Sequence, residues 1–482
     1  MDFQPGNTSG ISTAGAMGTD ELAELQKSLE AGYETDVDGM TGGSALRIQS
    51  LDLNLQATVQ QNHHFVLFNM LPKPRATAVL DEWTEQHDIG GFLGSTFNTQ
   101  DGAAQQTNGN YERMVGQVKY MTTYRSIPIV LQRQNNIVDA TAIETTNGTK
   151  QLLTDIEFTM FEGDSSVVPL SFDGIYAQIN SLDSDDHIID LAGAPLNSID
   201  AIATAAEVIY GYGNFGRATD IFIPPSVQTD LNQDLDPAFR VLLNQGAQNT
   251  VRGTSVSGIQ TTYGEIKTRN DVFIRDDKLK KPFETVSPAL QAIAAANAFK
   301  PATVTPTAVA TEVGSAWQAS QAGNYYYAVA GINQNGQSQA LVSAQVAVVS
   351  GGAVSLAIAA SAGGTETGYV IYRGRLNGTN ALTDMREMIR IPKATGGTTT
   401  YVDTNSEIPG STRAYILNLA AEDHAIAWRQ YLPMMKIPMA AVNSPIIPWL
   451  QMICGYLRIT KRNQHVVVKN IVPTRAAWKP FG

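Results

Sequence analysis

The stretch IPIVLQRQNNIVDATAIETTNGTKQLLTDIEFTMFEGDSS, residues 127–166, decides how the rest of the chain is read. It opens extended and then turns helical from about 137 to 162. Thr141 and Glu144 have capping-box spacing, and Leu152, Leu153, Ile156 and Met160 share one face. The middle, TTNGT, has poor helix propensity: Gly148 costs about 1 kcal/mol relative to Ala. A bend or local unwinding is therefore expected there. FEGDSS stops the helix.

Upstream lie two extended segments, WTEQHDIGGFLGSTF and YERMVGQVKYMTTYRSIPIVLQ. Between them NTQDGAAQQTNGN has no core-forming residue, so together they predict a long β-hairpin, about 84–125. Such a hairpin is too polar to bury itself and needs another surface to lie on. Before it, FVLFNMLPKPRATAVL is an apolar cluster broken by Pro72 and Pro74. Residues 1–18 are rich in Gly, Ser, Thr and Asn, and read as a flexible start. TDELAELQKSLEAG predicts a short helix capped by Thr19 or Asp20, with Leu22, Leu25 and Leu29 as its stripe and Gly32 as its end. The ordered body is expected to begin near Ala45, with 1–60 as an arm.

Downstream, NSIDAIATAAEVIYGYG is a second helix capped near Asn197 or Ser198, and TDIFIPPSVQTDL is a buried strand running into a turn and helix. SPALQAIAAANAF is a third helix, with Ser287 as cap and Pro288 at the first position. Composition shifts at Lys300. Residues 300–412 are rich in Thr, Val, Ala, Gly and Tyr, and their strand patterns and turn signals recur at the spacing of an all-β sandwich. Tyr325, Tyr327 and Val329 alternate onto one face. After Arg413, YILNLAAEDHAIAWRQ has helix propensity again, and GYLRITKR and HVVVKNIV close the chain as strands. Residues 300–412 thus read as a module inserted in a host domain of α+β class.

The chain has 482 residues and a net charge of −12, and 43% of its residues are hydrophobic, enough for a sizeable core. The acidic balance argues against a general nucleic-acid binder and against docking to an anionic membrane. The lone Cys454 excludes an intrachain disulfide and cysteine-based zinc or iron–sulfur sites. GYGNFG, residues 211–216, formally matches a dinucleotide fingerprint, but a helix precedes it and a strand follows, the reverse of a phosphate cradle. DSDDH, 183–187, lacks calcium-loop spacing. No nucleophile, base and orienter come together, so neither an enzyme nor a cofactor is expected; catalytic, cofactor and metal residues are none.

This order of parts resembles the major capsid proteins of tailed bacteriophages, the Hong Kong 97-type fold. Residues 127–166 look like that family's strand, spine helix and acidic-Gly-Asp turn, with Glu162, Gly163 and Asp164 in the turn. AIATAAEVIYGYGNFGRATDIFIPPSVQTDL is similar to the axial domain's helix, strand and Pro-containing turn, and GYLRITKRNQHVVVKNIV to closing peripheral strands. The inserted region resembles an immunoglobulin or fibronectin III-like module. The resemblance implies an N-terminal arm (1–60), an extended hairpin (84–125), a peripheral domain (126–192 and 430–472), an axial domain (193–299 and 413–429) and the insert (300–412). It further implies self-assembly into hexamers and pentamers of an icosahedral shell around double-stranded DNA, bound without sequence specificity. The partners implied are a scaffolding protein, a portal and decoration proteins, with no membrane; the location is the virion, assembled in the host cytoplasm. Assembly contacts are expected from Leu22, Leu25, Leu29, Phe92, Phe97, Tyr111 and Arg113. Two alternatives are a tail or baseplate protein with a β binding module and an encapsulin-like compartment shell.

Overall fold

The computed structural model describes residues 61–104, 106–133, 139–182, 185–234, 257–276, 298–442 and 444–481. The expected arm and its helix, and residues 287–297 of the third expected helix, lie outside them. The first described helix is α1 (Val66–Met70), followed by strands β1 (Leu80–Asp88), β2 (Asn110–Gln117) and β3 (Lys119–Pro128). Next come α2 (Ile129–Arg133), the long α3 (Ala140–Glu162), α4 (Ile175–Asn180) and β4 (Ile188–Asp190). Helix α5 (Asp200–Tyr210), β5 (Asp220–Ile223), α6 (Pro225–Asp234), β6 (Gly258–Thr261) and β7 (Gly264–Asn270) complete the first part of the body.

Helix α3 is continuous, without the bend expected at TTNGT. Asp139, not Thr141, caps it: the Asp139 carboxylate accepts from Thr141 N–H at 2.8 Å. Gly148 is buried against the sheet, where a Cβ would overlap the Gln451 side-chain oxygen. The glycine is there for close approach, and packing overrides its propensity cost. Leu152, Ile156, Met160 and Phe161 face the core.

The β-rich region contributes β8 (Val304–Val309), β9 (Gly323–Tyr325), β10 (Tyr327–Asn333), β11 (Gly336–Gln337), β12 (Leu341–Val342) and β13 (Val346–Val348). It continues with β14 (Ala353–Ala359), β15 (Gly368–Gly374), β16 (Met385–Pro392) and β17 (Thr398–Asp403). One sheet runs β11-β10-β15-β16 with β12 also on β10; another runs β17-β14-β8; β9 pairs with β13. Trp317, Tyr325, Tyr327, Val329, Leu356, Ile358 and Ile371 fill the space between the sheets. Ala328, Ala330, Ile332, Val370 and Tyr372 point the other way, onto Val167 and Val168 of the body. The β10–β15 sheet is therefore buried on both faces, which the alternation of Tyr325, Tyr327 and Val329 alone did not reveal.

The chain ends with β18 (Thr412–Leu417), β19 (Ile426–Pro438), β20 (Ile446–Ile459) and β21 (Val466–Ile471). The helix expected from YILNLAAEDHAIAWRQ does not form. Tyr415, Ile416 and Leu417 instead sit in β18, paired with both β5 and β21 in a six-stranded mixed sheet, β4-β21-β18-β5-β7-β6. Pairing in a sheet buried on both faces wins over local propensity. Ile221, Ile223, Ala414, Ile416, Val466 and Val468 pack under α5 and α6, while Phe222, Tyr415, Leu417 and Val467 point to α3 and α4. The last strand, β21, thus lies between β4 and β18 in the six-stranded sheet, apart from the sheet of β19 and β20. A three-stranded sheet, β19-β20-β3, lies along α3.

Candidate assembly surfaces

The hairpin is shorter at one end than the sequence suggests. β1 pairs with β2 from Leu80↔Gln117 to Asp88↔Asn110. At Val118, fully buried, the chain changes partner: Val118 N–H still reaches Val79 O at 2.9 Å, and from Lys119 on β3 pairs with β20. The ribbon therefore spans 80–117, not 84–125. Among the described residues its outer half has no second layer.

The ribbon is held at its root. Asp81 takes a two-pronged bond from Arg429, Nε to Oδ2 at 2.6 Å and Nη2 to Oδ1 at 2.8 Å, and the Tyr456 hydroxyl donates to Oδ2 at 2.7 Å. Burial pushes the Asp81 carboxyl up, but the Arg429 and Tyr456 hydrogen bonds and the Arg429 and Arg458 charges outweigh it and hold it below its ordinary value. Gly116 passes so close to the Tyr456 ring that no side chain fits there.

At the other end the loop 89–109 turns on Gly90, Gly91 and Gly94, all with φ between 81° and 94°. Ile89, Phe92, Leu93 and Phe97 stand there between 66% and 104% exposed. Burying each such side chain is worth on the order of 1.5–3 kcal/mol, a driving force this subunit leaves unused. Among the expected contact residues, Phe92 and Phe97 belong to this tip. Tyr111 and Arg113 are exposed on β2, with Arg113 3.4 Å from Glu82 in a surface ion pair worth little. Leu22, Leu25 and Leu29 lie outside the described residues. The sequence reading passed over Ile89 and Leu93, although they flank the glycines in the same DIGGFLG motif.

Two further surfaces are apolar. Along β3, Tyr120 and Tyr124 point outward, while Arg125 turns toward α3 and donates to Glu144 at 3.1 Å and Gln151 at 2.7 Å. The period-2 alternation of KYMTTYR carried this signal. After α5, the GYGNFG segment presents Tyr212 and Phe215, in edge contact at 5.5 Å, to solvent. Gln464 Nε2 holds that turn by donating to Asn214 O at 2.9 Å. It is a fixed loop carrying two rings and not a phosphate cradle.

A cleft of about 590 Å³ lies at the hairpin root, between Trp83, Gly116, Asp164, Tyr176, Arg390 and Arg462. Two of its arginines are paired: Arg413 with Glu162 at 2.6 Å and Arg390 with Glu387 at 3.0 Å. Among the described residues no group of three or more His, Cys, Asp or Glu is placed to hold a metal ion.

No protein-family model matches the chain. It is similar to a putative major capsid protein of Enterococcus phage phiEF24C, 26% identical over 438 residues, covering 88% of this chain and 89% of that protein. It is also similar to the major capsid protein of Staphylococcus phage K, 24% identical over 444 residues with the same coverage. A solved structure of the capsid of Myoviridae phage XM1 matches with a TM-score of 0.44 at 8% identity, covering 90% of this chain and all of that one. The chain is a structural protein of the bacteriophage capsid, a virion component and not an enzyme. Its particular relatives are the major capsid proteins of phages.

Proposed function

We propose that copies of this chain assemble into the hexamers and pentamers of a closed icosahedral shell around double-stranded DNA, in the Hong Kong 97-type arrangement. In this reading α3 is the spine helix, the β19-β20-β3 sheet belongs to the peripheral domain, and the six-stranded sheet with α5 and α6 forms the core of the axial domain. Residues 300–412 are an immunoglobulin or fibronectin III-like insert, and scaffolding, portal and decoration proteins are external partners. The observation that carries the reading is the hairpin: among the described residues, a ribbon clamped at its root with four large apolar side chains bare at its tip. Isolated exposed apolar residues are ordinary, but a cluster at the end of an unsupported ribbon marks an interaction site. The tip is then seated on a neighbouring copy. Replacing Phe92, Leu93 and Phe97 together by Ser tests this. The subunit should stay folded by circular dichroism, while sedimentation shows that shells no longer form. Shells formed in normal yield by the triple variant would refute the assignment.

A further inference from the structure

We propose that Glu157 is a carboxylic acid in the folded subunit and donates its proton to Asp271, making a proton-dependent latch between the long helix α3 and the chain at Leu67 and Phe68. The geometry is specific. Glu157 is wholly buried on α3, and its two oxygens accept the N–H groups of Leu67 at 2.6 Å and Phe68 at 3.0 Å, in the first turn of α1. Asp271, just past β7, is wholly buried too, and its Oδ1 accepts Phe273 N–H at 2.9 Å. Its Oδ2 is buried and makes no hydrogen bond of ordinary geometry, though the Leu67 N–H that bonds Glu157 also acts on the Asp271 carboxyl. Glu157 lies within hydrogen-bonding reach of Asp271, so an acid proton between them supplies the missing donor. Two carboxylates this close, both out of water, cannot both be charged.

Among the described residues, the two cations flanking the pair in sequence are bonded elsewhere. Lys73, which feels the Glu157 charge, has its Nζ committed to Phe68 O at 2.6 Å and Leu71 O at 3.3 Å. Arg275, four residues beyond Asp271, is turned away to the carbonyls of Glu387 and Met388. The rings of Phe65 and Phe273, stacked at 5.3 Å, come from the same two segments that the pair joins. Burial first, then the Asp271 charge, pushes Glu157 up to about 9; burial pushes Asp271 up to about 6, against the lowering effect of its hydrogen bond with Glu157. Both values lie above the ordinary carboxyl range. The folded subunit therefore holds protons that the unfolded chain has released, and the latch weakens as pH climbs from that range to about 9.

The test uses the full chain as unassembled subunits. Infrared spectra at pH 7.5 should show a protonated-carboxyl stretch that is lost in Glu157→Gln, whose amide keeps a donor toward Asp271. The melting temperature of the wild type should fall steadily from pH 5 to 9, and that of Glu157→Gln should fall much less. If Glu157→Gln does not fold, the wild type decides alone. Its carboxyl band should weaken through pH 9 and vanish only above it, and amide exchange at Leu67 and Phe68 should accelerate relative to Leu152 and Ile156. Absence of the band at pH 7.5, an unchanged pH slope in Glu157→Gln, or loss of the band without faster exchange at Leu67 and Phe68 would overturn the latch.

Discussion

The hairpin and the 304–403 region are both antiparallel β structure, yet they meet water in opposite ways. In the hairpin, one ribbon stands alone beyond its root, and β2 is exposed along most of its length. In the 304–403 region, all seven residues of β10 are buried, alternating between the space between its sheets and Val167 of the body. A strand gains stability from the layers on its two faces, and among the described residues the hairpin beyond its root has neither. The insert also carries a charged interior. Arg373, fully buried, donates to Asp403 at 2.6 Å and Asn405 at 2.7 Å, and its guanidinium lies 4.6 Å from the Trp317 ring. The Tyr327 hydroxyl gives Asp403 a further bond at 2.7 Å. The 304–403 region packs against the body on its outer face, whereas among the described residues nothing covers the hairpin's outer half.

The largest stability loss should therefore come from the insert. Arg373→Leu strands the buried Asp403 carboxylate and should cost about 3–5 kcal/mol in urea unfolding of the subunit. Trp317→Ala should cost a similar amount, about 3–5 kcal/mol, by opening a cavity in the same core. A loss under about 1 kcal/mol for either would mean that the sandwich interior is not a packed core. The insert is also tied to the body: Arg413 bridges Glu162 at 2.6 Å and Glu407 at 3.1 Å, and Arg275 holds two carbonyls of β16. Expressed alone, 300–412 would bare Ala330, Val370 and Tyr372, so it should unfold at lower denaturant concentration than the intact chain.

The next effect in size concerns the hairpin root. Asp81→Ala leaves Arg429 without its partner and should cost about 1.5–3 kcal/mol, the range for hydrogen bonds to charged groups. The wild type should also lose this contribution in acid. Asp81 titrates lower in the folded chain than in the unfolded one, so its stabilisation is present above the ordinary carboxyl range and disappears as pH falls through the depressed folded value. Equal acid sensitivity in Asp81→Ala and wild type would show that the clamp does not set the root.

The same contrast explains what could be read from the sequence. The hairpin's existence was legible, because turn glycines and polar tip residues are local signals. So were the long helix and the alternating strands of the insert. What escaped depended on partners far away in the chain. Gly148 reads as a helix weakness until Gln451, some three hundred residues on, is seen against it. Tyr415 and Leu417 read as helical until β5 and β21 flank them. The hairpin's C-terminal boundary moved because β3 finds β20, and no local feature of KYMTTYR announces that choice. For the assembly residues, residue type was legible in Phe92 and Phe97. The contribution of Ile89 and Leu93 needed the loop's shape, which turns them outward together with the two rings.

The smallest expected effect on subunit stability is the most discriminating. Replacing 98–109 with a short Gly-Ser turn removes no buried apolar side chain, since the described residues of that stretch are polar or small and none is buried. The only ordered features lost are local, such as the Asn98 amide donating to Gly102 O at 2.8 Å. Surface changes of this kind stay within about 0.5 kcal/mol, and shortening a loop, if anything, lowers its closure entropy. Urea unfolding should thus be nearly superimposable on wild type. The replacement nevertheless changes how Phe92, Leu93 and Phe97 are presented, because Thr107 and Asn108 pack beneath Gly91 and Gly90. Shell yield should fall while the unfolding midpoint stays in place. A coupled loss of both would put the tip in the subunit's own core and erase the contrast with the insert. A normal yield of shells with normal stability would show that residues beyond Phe97 play no part in seating the ribbon.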